Sequence, residues 1–370
     1  LSIGLFLVVV AVALARVVTE RKMLLYRSFI FWPLVGLLAV FLYAILRGAA
    51  MGNGFANVFF DANAFLYFGA ALPFWQAIRR REDLGLILQV TFGALLASLT
   101  KVLFLTYFFA HELNFWYVVG DVYSWVRDTR IGELTEMTDL FFRVFFQSQI
   151  YTVIAWFVVL LLAVSVAAAR PFSLLVRDRK WLSLIFLLIL LTSSTLVSLS
   201  RSNWMGMVVA FVFMVALFFW LFARPAHLSL KAIWISAAAG ISSLLLITLL
   251  VLFPFPPVSG NFSAGSLFSK RALTFADEAG VGSRWRLLPP LWSAITAHPI
   301  LGQGFGKEVT YKTEDPRLLA QNPTGEYTTF IFEWGYHDLW LKLGLFGLAA
   351  YIYLITLILT RSYRWLSSRR

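Results

Sequence analysis

Residues 182–223 read LSLIFLLILLTSSTLVSLSRSNWMGMVVAFVFMVALFFWLFA. Two apolar runs, 182–200 and 203–223, meet at Arg201-Ser202. Each is long enough to cross a bilayer as a helix, which takes roughly 20 apolar residues. The connection is too short for a loop, so two adjacent spans turn directly into each other there. Working outward, the same criterion marks nine spans: about 1–15, 28–46, 60–78, 84–108, 144–169, 182–200, 203–223, 232–253 and 338–360. The first begins at Leu1 without Met, charged n-region or small-residue cleavage site. It does not read as a signal peptide, and a natural N-terminus upstream of Leu1 is expected. Composition agrees: 60% of the 370 residues are hydrophobic and 14% charged, against about 45–50% and 25% in soluble domains. A disordered chain, a nucleic-acid-binding domain and a soluble enzyme are excluded. An all-α polytopic membrane protein is expected, with one long outer loop that contains helices.

Charge placement orients the spans. Cytoplasmic connections of membrane proteins are enriched in Lys and Arg. Alternate connections here carry Arg16, Arg21, Lys22 and Arg27; Arg79, Arg80 and Arg81; Arg170, Arg177, Arg179 and Lys180; Arg224 and Lys231. The tail adds Arg361, Arg364, Arg369 and Arg370. These segments hold 17 of the 31 basic residues and four of the 19 acids, a net charge of +13; the rest of the chain nets −1. The overall +12 therefore reports topology and calls for no nucleic-acid partner. Leu1 is placed outside and Arg370 inside. The chain divides into 1–253, spans with short loops and an outer segment at 109–143; 254–337, a long outer loop; and 338–370, the last span and a basic tail. No repeat of period 20–50 is evident. No half-to-half hydropathy symmetry of the inverted-repeat transporter kind stands out either.

The outer face holds the residues able to do chemistry. Arg201 must place its guanidinium at the outer surface or in a cavity just beneath it. It either snorkels to headgroups or grips phosphate oxygens with its planar fork. In the long loop, Lys270, Arg271, Arg284 and Arg286 precede or begin an amphipathic helix over 284–297, which runs on despite Pro289-Pro290. Pro299 ends it, and the glycines that follow make a tight turn. That helix either lies on the membrane with its cations at headgroups or aims them at an anionic substrate. Glu333 and His337 are four apart, a spacing that shares a helical face. His337 is either a proton acceptor or a helix-end histidine of an aromatic belt. Glu133, Glu136 and Asp139 repeat every three residues, as a solvated face or as a cation site. Lys101 lies inside a span and either snorkels or is functional. The Gly302-x-Gly304-x-Gly306 run has no βαβ unit around it and is not a dinucleotide fingerprint. With no cysteine and four histidines, neither a thiolate nor a multi-histidine metal centre is expected.

Ser200-Arg201-Ser202, the helix headed by Arg284 with His298-Pro299-Ile300-Leu301-Gly302-Gln303-Gly304-Phe305-Gly306, and His337 ahead of Gly344 and Gly347 together resemble the O-antigen ligase and O-antigen polymerase superfamily. These are bacterial integral-membrane glycosyltransferases that use glycans carried on undecaprenyl diphosphate. The resemblance covers about 195–350; the first 190 residues match in hydropathy and topology alone. Two arginines compete for one family position, and Arg284, with the better spacing to Pro299, is preferred to Arg286. The family's histidine position is occupied here by Glu333. His337 stands one helical turn later and is followed by Asp338, where the family often has Asn.

The resemblance implies a multi-pass protein of the bacterial plasma membrane with its active site facing the periplasm. Arg201, Arg284, Arg286 and Arg271 would bind the donor's diphosphate and stabilise the charge that grows on it as the anomeric bond breaks. His337 or Glu333 would take the proton of the acceptor hydroxyl. Direct displacement would invert the anomeric centre, with no metal and no cofactor. The acceptor would be a lipid A core for a ligase, or another lipid-linked glycan for a polymerase. The competing class is a transporter or flippase of a lipid-linked oligosaccharide. It would need ionisable groups along a path through the bilayer, and of these only Lys101 stands out.

Overall fold

The computed structural model describes residues 2–78, 80–111, 118–128, 131–138, 141–221, 225–256, 262–263, 265, 267, 269, 279–313, 319 and 322–368. Among them, nine helices are long and apolar enough to cross a membrane, from Ile3–Glu20 to Gly335–Ser367. They coincide with the nine expected spans. Large apolar side chains turn outward along them, as at Ile241, 71% exposed. That pattern suits a helix surrounded by hydrocarbon, where the exterior carries no penalty for apolar surface.

The chain forms two compact units, Leu1–Leu86 with Phe275–Arg370, and Ile87–Thr274. In chain order the helices are α1 (Ser2–Glu20), α2 (Phe31–Ala50), α3 (Phe55–Leu66), α4 (Ala71–Ala77), α5 (Arg81–Ala110), α6 (Val118–Asp128), α7 (Ile150–Ala169), α8 (Phe172–Leu175), α9 (Arg179–Val197), α10 (Arg201–Leu221), α11 (Pro225–Val251), α12 (Ala279–Ala297) and α13 (Gly335–Ser367). Two antiparallel hairpins accompany them, β1 (Gly132–Thr138) with β2 (Phe141–Phe146), and β3 (Val309–Lys312) with β4 (Glu326–Thr329).

In the first unit, Leu34, Leu37, Phe41, Ala44 and Gly48 are buried along α2. Their three- and four-residue spacing makes one face. That face packs on α13 through Leu343 and Leu354, and Phe305 enters the same cluster. The Phe305 ring stacks on Phe65 of α3 at 5.1 Å between centroids. The loop helix α12 buries Ser283, Leu287, Leu291 and Ile295, again every fourth residue. Leu287, Leu291 and Ile295 pack on Val309, Phe332 and Leu341, and Ser283 Oγ lies 2.7 Å from Thr313 Oγ1. The apolar stripe fixes the roll of α12 and so turns Arg284, Trp285 and Arg286 to its exposed side.

In the second unit, α7, α9 and α11 share a core that includes Trp156, Leu160, Leu188, Leu191 and Ala239. Polar side chains join the helices: Trp156 Nε1 donates to Thr192 Oγ1 at 2.9 Å, and Ser243 Oγ to the Ile189 carbonyl at 2.9 Å. Asp178 caps α9, accepting from the Lys180 amide at 2.9 Å, a standard use of Asp. The β1–β2 hairpin buries Leu134, Phe141, Val144 and Phe146 against Phe109, Val126 and Leu199.

Candidate active site

The Arg284 seat is built in the first unit. The Arg284 guanidinium forms an ion pair with Glu333 through Nε. The indole of Trp334 donates to the Arg284 carbonyl at 2.9 Å, and Trp334 meets the Trp285 ring at 5.3 Å. Helix α13 begins one residue after Trp334, whose φ of −84° and ψ of 75° are not helical. Glu333 therefore lies outside the helix, and the shared helical face expected for Glu333 and His337 does not form. His337 occupies the first turn of α13, between the rings of Trp292 at 6.1 Å and Trp334 at 5.8 Å. Arginine, carboxylate and histidine are thus gathered at the foot of the last helix. Arg286 follows two residues along α12 on its exposed side. Arg271 and Lys270 lie outside the described residues.

The glycine run has a different purpose from the bare turn expected. It threads between α2 and α13. The Gln303 and Gly304 amides donate to the Leu341 and Lys342 carbonyls at 2.7 and 3.1 Å, and Phe305 N donates to the Ala44 carbonyl at 3.0 Å. Arg47 Nε reaches the Gly302 carbonyl at 2.6 Å. Asn53 Nδ2 donates to the carbonyls of Gln303 and Phe305, both at 2.9 Å. Gly304, at φ 80°, passes so close to α2 that a Cβ would strike the Gly48 amide. Gly344 breaks the helical geometry of α13 at φ 70°, and a Cβ there would strike the Ile300 carbonyl. These amides are spent on protein acceptors, so the run holds two helices together and offers no cradle for phosphate.

A charged cluster beneath this seat was not read from the sequence. Lys342 of α13, 2% exposed, donates to Asp61 Oδ1 of α3 at 2.8 Å and to the Phe330 carbonyl at 2.9 Å. It also pairs with Asp338 Oδ1 at 2.6 Å. The other oxygen of Asp61 accepts the Gly306 amide at 2.6 Å. The available signal was one cation and one anion inside two apolar stretches. Charges in such places are expensive unless paired.

Arg201 belongs to the second unit. It opens α10 after the turn Ser198-Leu199-Ser200, so the short connection expected between two spans is present. Leu199 is fully buried at φ 44°, a costly conformation for a residue with a Cβ. Surrounding hydrogen bonds hold it. Arg143 Nε donates to the Ser198 carbonyl at 2.9 Å, Ser198 Oγ to the Thr195 carbonyl at 2.6 Å, and Trp204 Nε1 to the same carbonyl at 3.1 Å. Gln149 Nε2 reaches the Ser194 carbonyl at 3.2 Å.

The other candidates resolve into structure. Glu133 and Glu136 lie in strand β1, where residues three apart face opposite ways, so they share no face. Glu133 pairs with Arg143 at 3.0 Å; Asp139 lies outside the described residues. Among the described residues, no three His, Asp or Glu side chains converge as metal ligands. The ammonium of Lys101 sits over the Phe146 ring, 3.7 Å from its centroid, a cation–π contact.

Among the described residues, nine helices long and apolar enough to cross a membrane, with an arginine, a carboxylate and a histidine at the foot of the last of them, define a multi-pass membrane protein. Residues 184–352 match the family model described as O-Antigen ligase, and that match supports the resemblance to the O-antigen ligase and polymerase superfamily. The matched residues include Arg201, Arg271, Arg284, Arg286, Glu333 and His337. That match supports an enzyme of glycosyltransferase type. No curated protein and no solved structure matches the chain.

Proposed function

We propose that this protein transfers a glycan from undecaprenyl diphosphate to a hydroxyl acceptor at the outer face of the bacterial plasma membrane. The observation that carries this reading is the Arg284–Glu333 pair beside His337, within the stretch that matches the family. The acceptor oxygen attacks the anomeric carbon as the bond from that carbon to the diphosphate breaks. The bonding electrons leave with the lipid diphosphate, and the hydroxyl proton passes to the His337 imidazole. Arg201 and Arg284 stabilise the departing charge, which is larger in the transition state than in the ground state. A guanidinium has five N–H donors. Glu333 engages Arg284 at Nε, and the Nη groups carry the other four toward phosphate oxygens. Glu333 is on this reading the counter-ion that Arg284 exchanges for donor phosphate, and His337 is the base. One displacement inverts the anomeric centre, and the arginines supply the positive charge that a metal would bring.

The test is purified protein in proteoliposomes with undecaprenyl-diphosphate glycan and either a lipid A core or a second lipid-linked glycan. Glycosylated acceptor and free lipid diphosphate are measured together, and the product's anomeric configuration is read by NMR. Transfer is expected to survive EDTA with inversion, and His337→Ala to lose about 10²–10⁴-fold in rate. Donor crossing between leaflets with no glycosidic bond to any acceptor would make the protein a transporter. Retained configuration, or loss on chelation restored by Mg²⁺, would remove the proposed chemistry.

A further inference from the structure

An ammonium group has three N–H donors and no acceptor. Lys342 donates two of its own to Asp61 and the Phe330 carbonyl, and its charge pairs with Asp338 at 2.6 Å. Phe330 and Asp338 bracket the segment that carries Glu333 and His337. Both ends of that segment are therefore bound to one buried cation. Asp61, in turn, fixes that cation to α3 and, through the Gly306 amide, to the glycine run. The side chains of Lys342 and Asp61 are only 3% and 9% exposed, so the attraction between them acts with little screening by water. A cation introduced only to glue helices would need one partner on each. This one places a hydrogen bond and an ion pair on the two ends of the short stretch between Phe330 and Asp338.

We propose that Lys342 is a positioning residue for glycosyl transfer: it clamps the 330–338 segment and so sets where Glu333 and His337 stand relative to the reacting centre. The inference rests on the glycosyltransferase reading for its consequence, though not for the clamp itself. A catalytic group displaced by about an ångström can cost about 10²-fold in rate. Misplacing the base lowers turnover, whereas donor binding through the arginines is left largely as it was.

The closing experiment has two readouts. The chain has no cysteine, so a single cysteine at Ile331, 65% exposed, can carry a nitroxide. Lys342→Met is expected to increase the mobility of that label. It is also expected to lower kcat about 10²-fold with the donor KM little changed. In Lys342→Met/His337→Ala the loss should be no greater than in the worse single variant, because the clamp acts through the histidine. Multiplying losses, a loss that falls mainly on KM, or an unchanged label would overturn the inference. Should Lys342→Met not fold, Asp338→Ala replaces it. That variant keeps the Lys342–Asp61 pair and opens only one end of the clamp; a folded Asp338→Ala with wild-type kcat and label mobility overturns the proposal equally. If the label loosens but the wild-type protein joins no sugar to any acceptor, the clamp stands and the glycosyltransferase reading falls.

Discussion

Arg201 and Arg284 carry the same charge near the starts of two helices, yet different physics seats them. The backbone seats Arg201. The turn before it forces fully buried Leu199 to φ 44°, at a cost of about 1–2 kcal/mol. Bonds from Arg143, Gln149, Ser198 and Trp204 over-determine it. Arg284 stands on a helix whose roll is fixed by apolar packing, but its guanidinium is held by a carboxylate that is itself 61% exposed. An exposed pair of that kind contributes about 0.2–1 kcal/mol. Exchanging Glu333 for a phosphate therefore costs little, whereas moving Arg201 means dismantling a buried turn. The first arginine is an anchor set by the fold, and the second is an arm that can change partners.

The largest expected effect tests whether both are needed. Arg201→Ala and Arg284→Ala should each lower transfer about 10²–10³-fold, the usual loss for one contact to developing charge, while the protein still inserts. Arg→Lys should rescue poorly at either place, because a point charge does not reproduce a planar fork. The measurement is initial rate against the amount of detergent-monodisperse protein. Wild-type rates in both alanine variants would show that the site is misplaced, whatever the family.

An intermediate effect separates anchor from arm by its sign. Arg143→Leu removes the bond to the Ser198 carbonyl and should lower kcat/KM about tenfold, the cost of roughly one lost charge-assisted hydrogen bond. Glu333→Gln should do the opposite to donor affinity. Freed of its intramolecular competitor, Arg284 gains up to about 1 kcal/mol toward phosphate, or about fivefold in donor Kd. Titration of donor lipid onto each variant reads the difference. A Glu333→Gln variant that binds donor normally but loses about 10²-fold or more in kcat would instead make Glu333 the base.

The helical frame was legible because hydropathy alone carries it: nine apolar stretches correspond to the nine long apolar helices found among the described residues. The hairpins were not. In β2 the run Phe141-Phe142-Arg143-Val144-Phe145-Phe146 leads directly into the next apolar span, so its alternation is submerged. Without the strand, Glu133 and Glu136 pass for neighbours on a helix. The arginines were legible as isolated cations at apolar boundaries. The Glu333–His337 relation was misread because a spacing of four means a shared face only inside a helix, and Trp334 delays the start of α13 to Gly335. Lys342 and Asp61 were missed for a different reason. Single-span hydropathy averages a lone charge away, and their meaning appears only when two distant stretches are paired.

The smallest effect probes the arm itself. Gly282 lies in α12 two residues before Arg284, at a place where an added Cβ meets nothing within 4 Å and where φ is not positive. A glycine inside an exposed helix costs about 0.8–1 kcal/mol relative to alanine, because it loses more backbone freedom on folding. Gly282→Ala should therefore stabilise the start of α12 by up to about 1 kcal/mol, read as a small upward shift in Tm in detergent. If Arg284 is an arm whose mobility resides in its side chain and its exchangeable partner, stiffening the helix beneath it leaves kcat and donor KM as they were. If transfer falls while Tm rises, the start of α12 must itself move during the reaction. The distinction between Arg284 and the backbone-seated Arg201 would then lie in the main chain of both, not in the Arg284–Glu333 pair.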